Sequence, residues 1–87
     1  MIVDSSKNSI AQNIKLFPYE ISVYVHDIER YKDIIKWCDE STNIVALNCS
    51  MWDSFIYKNF ELNFEKQDYA LFFDEEESAM LFKLIWK

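Results

Sequence analysis

The chain has 87 residues, of which 51% are hydrophobic and 17% aromatic, so we predict one folded domain over residues 1–87 and exclude a disordered polar tail. Its formal net charge of −6 disfavours DNA or RNA as a direct ligand, because phosphate contacts need lysine and arginine. It contains no glycine, which excludes the P-loop, the dinucleotide-binding fingerprint and the nucleophile elbow, since each needs glycine for a close backbone approach or a strained turn.

The first predicted elements are a strand and a helix. Residues 1–16 are polar and weakly patterned, and we expect a mobile or loosely docked lead-in. In EISVYVH (20–26), Ile21, Val23 and Val25 alternate with polar residues, a period of two that predicts a strand. Asp27 then suits the N-cap of IERYKDIIKWCDES, whose apolar residues recur at steps of three and four, so this segment predicts an amphipathic helix.

The middle of the chain predicts two further strands. IVALNCSMW (44–52) is apolar and partly alternating, as in a central strand, and Asp53 with Ser54 then suits a turn. FELNFE (60–65) alternates cleanly, with Phe60, Leu62 and Phe64 expected to face the core. Positive-φ positions in this glycine-free chain should fall to asparagine or aspartate.

The C-terminal part predicts a last strand, YALFF (69–73), and a final helix. Asp74 suits the N-cap of this helix, and Asp74-x-x-Glu77 has the spacing of a capping box. Residues 79–82 and 84–86 are apolar on more sides than one sheet-packed stripe requires. Either the helix is wedged between other elements, or part of this surface meets another chain.

The order of these elements predicts an α+β fold. We expect an antiparallel sheet of 3–4 strands with two helices on one face, in the order β-α-β-β(-β)-α. This layout is ferredoxin-like without the final strand.

Residues for catalysis or metal binding are scarce. His26 is the only histidine and has no serine or cysteine partner in a recognisable motif, and Cys38 and Cys49 lack metal-ligand spacing and are expected to be buried thiols. The acids at 74–77 point in different directions on a helix and suit its positive end better than a cation. The sequence therefore predicts no enzyme, no cofactor and no metal site.

Acidic and aromatic residues are the candidates for binding a partner. Residues 53–77 carry eight acids and two bases, which favours a basic partner surface. The acids also suit a solvated sheet face or a partial mimic of nucleic acid, and these alternatives stay open. Tyrosine and tryptophan are prominent in interface hot spots. The candidate partner-binding residues are Tyr24, Trp37, Trp52, Glu61, Glu65, Asp68, Glu75, Glu76, Met80 and Trp86.

The ending FFDEEESAMLFKLIWK, about a fifth of the chain, resembles the tail of small accessory proteins of tailed bacteriophages. That tail has a strand, an acidic helix start, an Asp/Glu-Ala-x-x-Phe-Lys-Leu core and a terminal tryptophan. The residues that match are Phe73, Asp74, Ala79, Phe82, Lys83, Leu84 and Trp86, with Ser78 in place of the usual acid. The resemblance implies a phage or mobile-element origin, in which small acidic proteins commonly inhibit host restriction, CRISPR or transcription machinery.

These observations predict a non-enzymatic protein that binds a host protein and inhibits it by occlusion. The alternative is a structural or assembly protein that forms a large homo-oligomer through the apolar C-terminal helix, whereas a monomer or a homodimer fits the inhibitor. No apolar run reaches the roughly 18 residues that span a membrane. The N-terminus also lacks the pattern of a signal peptide, so we predict no membrane association and a cytoplasmic location.

Overall fold

A computed structural model describes residues 2–4, 17–40, 45–47 and 49–87. In chain order the described elements are β1 (Ile2–Asp4), β2 (Tyr19–Val25), α1 (Ile28–Glu40), β3 (Val45–Leu47), α2 (Cys49–Tyr57), α3 (Phe60–Asn63), β4 (Gln67–Phe73) and α4 (Glu76–Trp86). The class is α+β, as predicted. Within the described residues, no helix is long and apolar enough to cross a membrane.

The four strands form one sheet in the order β1-β3-β4-β2. β4 lies between β2 and β3 and is antiparallel to both, and β1 pairs with β3 in parallel. Because β2 and β3 therefore run in the same direction with β4 between them, β2, α1, β3 and β4 have the split β-α-β arrangement of ferredoxin-like folds. The parallel β1–β3 pair departs from the predicted all-antiparallel sheet. Residues 2–4 belong to the predicted lead-in, and residues 5–16 lie outside the described residues.

One buried cluster lies between the sheet and the helices. Leu71 and Phe73 of β4 face it together with Val23 of β2, as the alternation of strand residues requires. The ring of Phe82 in α4 lies 5.2 Å from that of Phe73, and the ring of Tyr31 in α1 lies 5.0 Å from that of Tyr69 in β4. Both predicted helices therefore pack on the same face of the sheet.

The predicted strand over residues 60–65 is wrong, because these residues begin with α3. Phe60 and Phe64 are spaced by four, a spacing that fits one side of a helix as well as one face of a strand. Both rings pack near Tyr31, at 6.1 and 5.5 Å between centroids. Leu62, which a strand would bury, is 83% exposed.

The predicted strand over residues 44–52 is also too long, and the predicted turn at Asp53 and Ser54 is wrong. β3 ends at Leu47, and α2 occupies residues 49–57. Ser54 is fully buried, where its hydroxyl accepts a hydrogen bond from Tyr31 Oη (3.0 Å) and donates one to the Ser50 carbonyl (3.1 Å). A buried hydroxyl needs such partners, so this serine is a packing residue between α1 and α2.

The starts of the two long helices differ. Asp27 caps α1 as predicted, since its Oδ1 accepts a hydrogen bond of 2.8 Å from the backbone N–H of Arg30. The prediction that Asp74 caps α4 is wrong, because Glu75 occupies the N-cap and makes no side-chain hydrogen bond to the helix. The positive-φ prediction is wrong as well. Among the described residues, the non-glycine residue with positive φ is Lys58, at 58°, between α2 and α3.

Candidate protein-binding site

β2 forms an edge of the sheet. Its seven residues pair with β4 without interruption from Tyr19–Phe73 to Val25–Gln67, and within the described residues no strand pairs with its other side. Edge strands are usually protected by lysine, proline or a bulge. The segment YEISVYV has none of these, and its only charged residue is Glu20. The backbone N–H and C=O groups on this side, which pair with no described strand, therefore offer a place where another extended segment can pair.

A groove of about 660 Å³ lies beside this edge. The second half of β2, the first turn of α1, the start of β4 and the C-terminal end of α4 contribute to it, so residues far apart in sequence meet here. We call it the edge groove, and its lining residues are Ser22, Val23, Tyr24, His26, Arg30, Asp68, Trp86 and Lys87. The exposed Tyr24 side chain is opposite Asp68 in the strand register.

Arg30 joins two walls of the edge groove. Its guanidinium donates a hydrogen bond to the backbone carbonyl of Trp86, and its Cζ lies 5.6 Å from the centre of the Trp86 ring. An arginine over a tryptophan face gains a cation–π attraction in addition to the hydrogen bond. α1 and the end of α4 are therefore tied together at the groove, which favours a preformed site.

The Trp86 indole has an unusual environment. Its Nε1 atom is buried and has no hydrogen-bond partner, although buried polar groups in proteins are nearly always paired. Two more buried side-chain atoms without a partner, Asp74 Oδ1 and Ser78 Oγ, lie at the other end of the same helix. Among the described residues, the buried side-chain atoms without a hydrogen-bond partner thus all lie in α4 or just before it.

His26 lines the edge groove beside Asp27. Its Nε2 lies 3.3 Å from Asp27 Oδ2, and both side chains are at least half exposed. Ser22 is four residues away along an extended strand, a separation of about 13 Å, so its hydroxyl is not an activated nucleophile for His26. Within the described residues, no group of three or more histidine, cysteine, aspartate or glutamate side chains could hold a metal ion.

Two buried titratable groups lie in the core, away from the edge groove. Burial raises the pKa of Tyr31 to about 12, although its hydrogen bond to Ser54 opposes this shift. Burial also raises the pKa of Cys38 to about 12, so this thiol is protonated at neutral pH and unreactive. Cys38 is buried as predicted. The predicted strand position of Cys49 is wrong, because it is the first residue of α2.

The candidate partner-binding residues fall into separate places. Tyr24, Asp68 and Trp86 meet at the edge groove. The tryptophans Trp37 and Trp52 are half-buried, with Trp37 5.8 Å from Phe82 and Trp52 5.8 Å from Phe55 between ring centroids, which makes them chiefly packing residues. The remaining candidates are exposed, at the start or outer side of α4 (Glu75, Glu76, Met80) or near α3 (Glu61, Glu65).

The outer face of α4 is a second surface with unusual chemistry. Its large apolar side chains are exposed: Met80 by 59%, Leu81 by 47%, Leu84 by 83% and Ile85 by 48%. The opposite side of the same helix is buried through Ser78, Ala79 and Phe82. The breadth of the apolar pattern in the sequence is thus explained by one buried side and one exposed side, and the helix is not wedged on all sides by the described elements.

Sequence patterns did not identify several residues of these surfaces. Arg30 reads as an ordinary charged position on the solvent side of α1, and only the fold brings it to Trp86. Leu84 could have been found, because it lies four residues from Met80 on the same side of a helix.

The chain matches no protein-family model, and comparisons with curated proteins and with solved structures found no match.

Proposed function

We propose that this protein binds another protein in the edge groove and inhibits it by occlusion, without catalysis. The observation that carries the proposal is the edge of β2, on which no other described strand pairs, beside a groove of about 660 Å³. An extended segment of a partner adds to such an edge through backbone hydrogen bonds, while side-chain pockets supply specificity. Tyr24 and Trp86 supply the aromatic surface that commonly anchors such contacts.

The partner segment is extended and carries both apolar and charged side chains. Val23, Tyr24 and Trp86 offer apolar contact, and Asp68, which pairs with Tyr24 in the strand register, offers negative charge to lysine or arginine. Arg30 and Lys87 line the side formed by the helices. The buried N–H of Trp86 gains a partner if a small rearrangement brings an acceptor of the bound segment to it, since an unpaired buried donor is costly.

The biological setting of the proposal comes from the phage-like ending of the chain. A phage-encoded protein of this size acts in the host cytoplasm, where its targets include restriction, CRISPR and transcription proteins. Inhibition by occlusion needs only a stable one-to-one contact.

The test compares capture of host proteins by three immobilised forms of the chain. Wild type and Tyr57→Ala are expected to retain the same protein from a bacterial host lysate at physiological salt, because Tyr57 is exposed but lies outside the groove. Tyr24→Ala is expected to lose it, since truncation of a hot-spot aromatic weakens binding by about 2 kcal/mol or more.

Activity measurements on the captured protein complete the test. Occlusion predicts that inhibition reaches its limit at one equivalent of this chain and does not deepen with time. Equal retention by wild type and Tyr24→Ala would place the binding site elsewhere. Progressive inactivation of many target molecules by one copy of the chain would show catalysis and contradict occlusion.

A further inference from the structure

The outer face of α4 combines exposed apolar residues with opposite charges at its two ends. Glu77, Met80, Leu84 and Lys87 are spaced by three, four and three, so they line one side of the helix, and Leu81 lies beside them. All five side chains are exposed. We call this row the α4 stripe. It has an acid at its start, a base at its end and apolar residues between them.

The α4 stripe is complementary to itself when its direction is reversed. If two copies of α4 pack antiparallel about a two-fold axis at the level of Phe82, Glu77 of each copy lies level with Lys87 of the other. By the same symmetry, Met80 of each copy lies level with Leu84 of the other. Opposite charges attract at both ends of the seam, and the exposed apolar side chains cover one another. A parallel arrangement would instead place like charges together.

We propose that the α4 stripe is the interface of a two-fold symmetric homodimer, in which two α4 helices pack antiparallel. In an isologous interface the same patch serves both subunits, so the patch must be complementary to itself, and the α4 stripe meets this condition. The helix also favours its own charges, since acids suit its first turn and cations its last. The dimer therefore uses charges that each α4 already accommodates.

The size of the seam sets the expected affinity. An 11-residue helix is about 16 Å long, so two such helices in contact form an interface at the small end of the specific range, which centres near 800 Å² per partner. We therefore expect a dimer in the micromolar range. Lys87 belongs both to the α4 stripe and to the edge groove, whereas Met80 and Leu84 lie outside the groove. Leu84→Gln and Tyr24→Ala therefore test the dimer and the proposed inhibitory binding separately.

Sedimentation equilibrium over a micromolar-to-millimolar series of the full chain tests the proposal. Wild type is expected to dimerise. Leu84→Gln is expected to weaken the dimer about a hundredfold, because this residue contributes to the seam twice by symmetry. Glu77→Lys and Lys87→Glu are each expected to weaken it about tenfold, because each change sets like charges against one another at both ends.

The charge-swapped double variant E77K/K87E is the decisive control. It restores opposite charges across the seam while placing unfavourable charges at both ends of each helix, so its dimer should return to near wild-type strength even though α4 itself is less stable. Glu61→Lys and Lys66→Glu, which make the same charge changes away from α4, should leave dimerisation unchanged. Circular dichroism checks that each variant is folded.

Three results would overturn the proposal. One is a wild-type chain that stays monomeric across the series. Another is a dimer that Leu84→Gln or Glu77→Lys leaves unchanged. The third is a double variant that is weaker than either single variant while remaining folded, since this would show that Glu77 and Lys87 do not face one another.

Discussion

The two long helices, α1 and α4, pack side by side on the same sheet but treat their outer faces differently. α1 buries one stripe, Tyr31, Ile34, Ile35 and Cys38, and its remaining positions are mostly charged. α4 buries Ala79 and Phe82 and exposes Met80, Leu81, Leu84 and Ile85 on the other side. α1 thus has the pattern of a helix that is complete within one chain, whereas α4 has apolar surface left over.

The hydrogen bonding of polar groups also differs between α1 and α4. Asp27 caps α1, and the Tyr31 hydroxyl is paired with Ser54. In contrast, Asp74 Oδ1, Ser78 Oγ and Trp86 Nε1, all in or next to α4, are buried without a partner. Burying an unpaired polar group and exposing a large apolar patch each carry a cost, so we expect the binding surfaces of the protein around α4 and β2.

The largest expected effect tests whether α4 has two distinct sides. Phe82→Ala removes a fully buried ring that contacts Phe73 and Trp37, so it should lower the free energy of unfolding by about 3–5 kcal/mol. Leu84→Ala on the exposed side should change it by less than about 0.5 kcal/mol at concentrations where the chain is monomeric. Urea titration of both variants measures the contrast. Equal losses would mean that Leu84 is packed within its own chain.

A second prediction concerns the buried hydroxyl and thiol of α1. Tyr31 and Cys38 both have a pKa raised to about 12 in the folded state, so their stabilising effect is complete below their unfolded values and is lost as pH rises toward 12. Each group should lower the free energy of unfolding by about 1.4 kcal/mol per pH unit within that window.

Thermal unfolding measured between pH 8 and pH 11 follows this loss of stability. The interval starts below the ordinary pKa values of tyrosine and cysteine, which are 10.0 and 9.0. Tyr31→Phe starts from a lower stability, because the Ser54 hydroxyl loses its donor, but should decline less steeply above pH 10. Tyr57→Phe is the matched control, since its hydroxyl belongs to an exposed side chain. Identical slopes for wild type and Tyr31→Phe would contradict the burial of the Tyr31 hydroxyl.

The smallest effect compares the starts of the two helices. Asp27→Ala removes the side-chain acceptor for the Arg30 N–H and should cost about 1 kcal/mol. Asp74→Ala removes no cap hydrogen bond and relieves a buried unpaired oxygen, so it should cost clearly less than Asp27→Ala or slightly stabilise the fold. Chemical denaturation of the pair decides the matter, and a larger loss for Asp74→Ala would restore it as the cap of α4.

The sequence was sufficient for β2 and α1 because each has a single clear period, and for β4 and α4 because the apolar run at 69–73 is followed by four acids that suit a helix start. It failed at residues 44–65, where short apolar runs fit a strand and a helix equally well, and burial of Ser54 and exposure of Leu62 depend on tertiary packing. The edge groove was also beyond local patterns. It depends on the register that sets Tyr24 opposite Asp68 and on the contact between Arg30 and Trp86, which are 56 residues apart.

The central claim is that another protein chain covers the apolar outer face of α4, and that this chain is a second copy. An isotope-filtered NOE experiment on a mixture of labelled and unlabelled protein detects only contacts between different copies. The account predicts intermolecular contacts between the methyl groups of Met80 and Leu84, with none from the buried Phe82 ring. Absence of Met80–Leu84 contacts in a sample that sediments as a dimer would contradict the antiparallel arrangement directly.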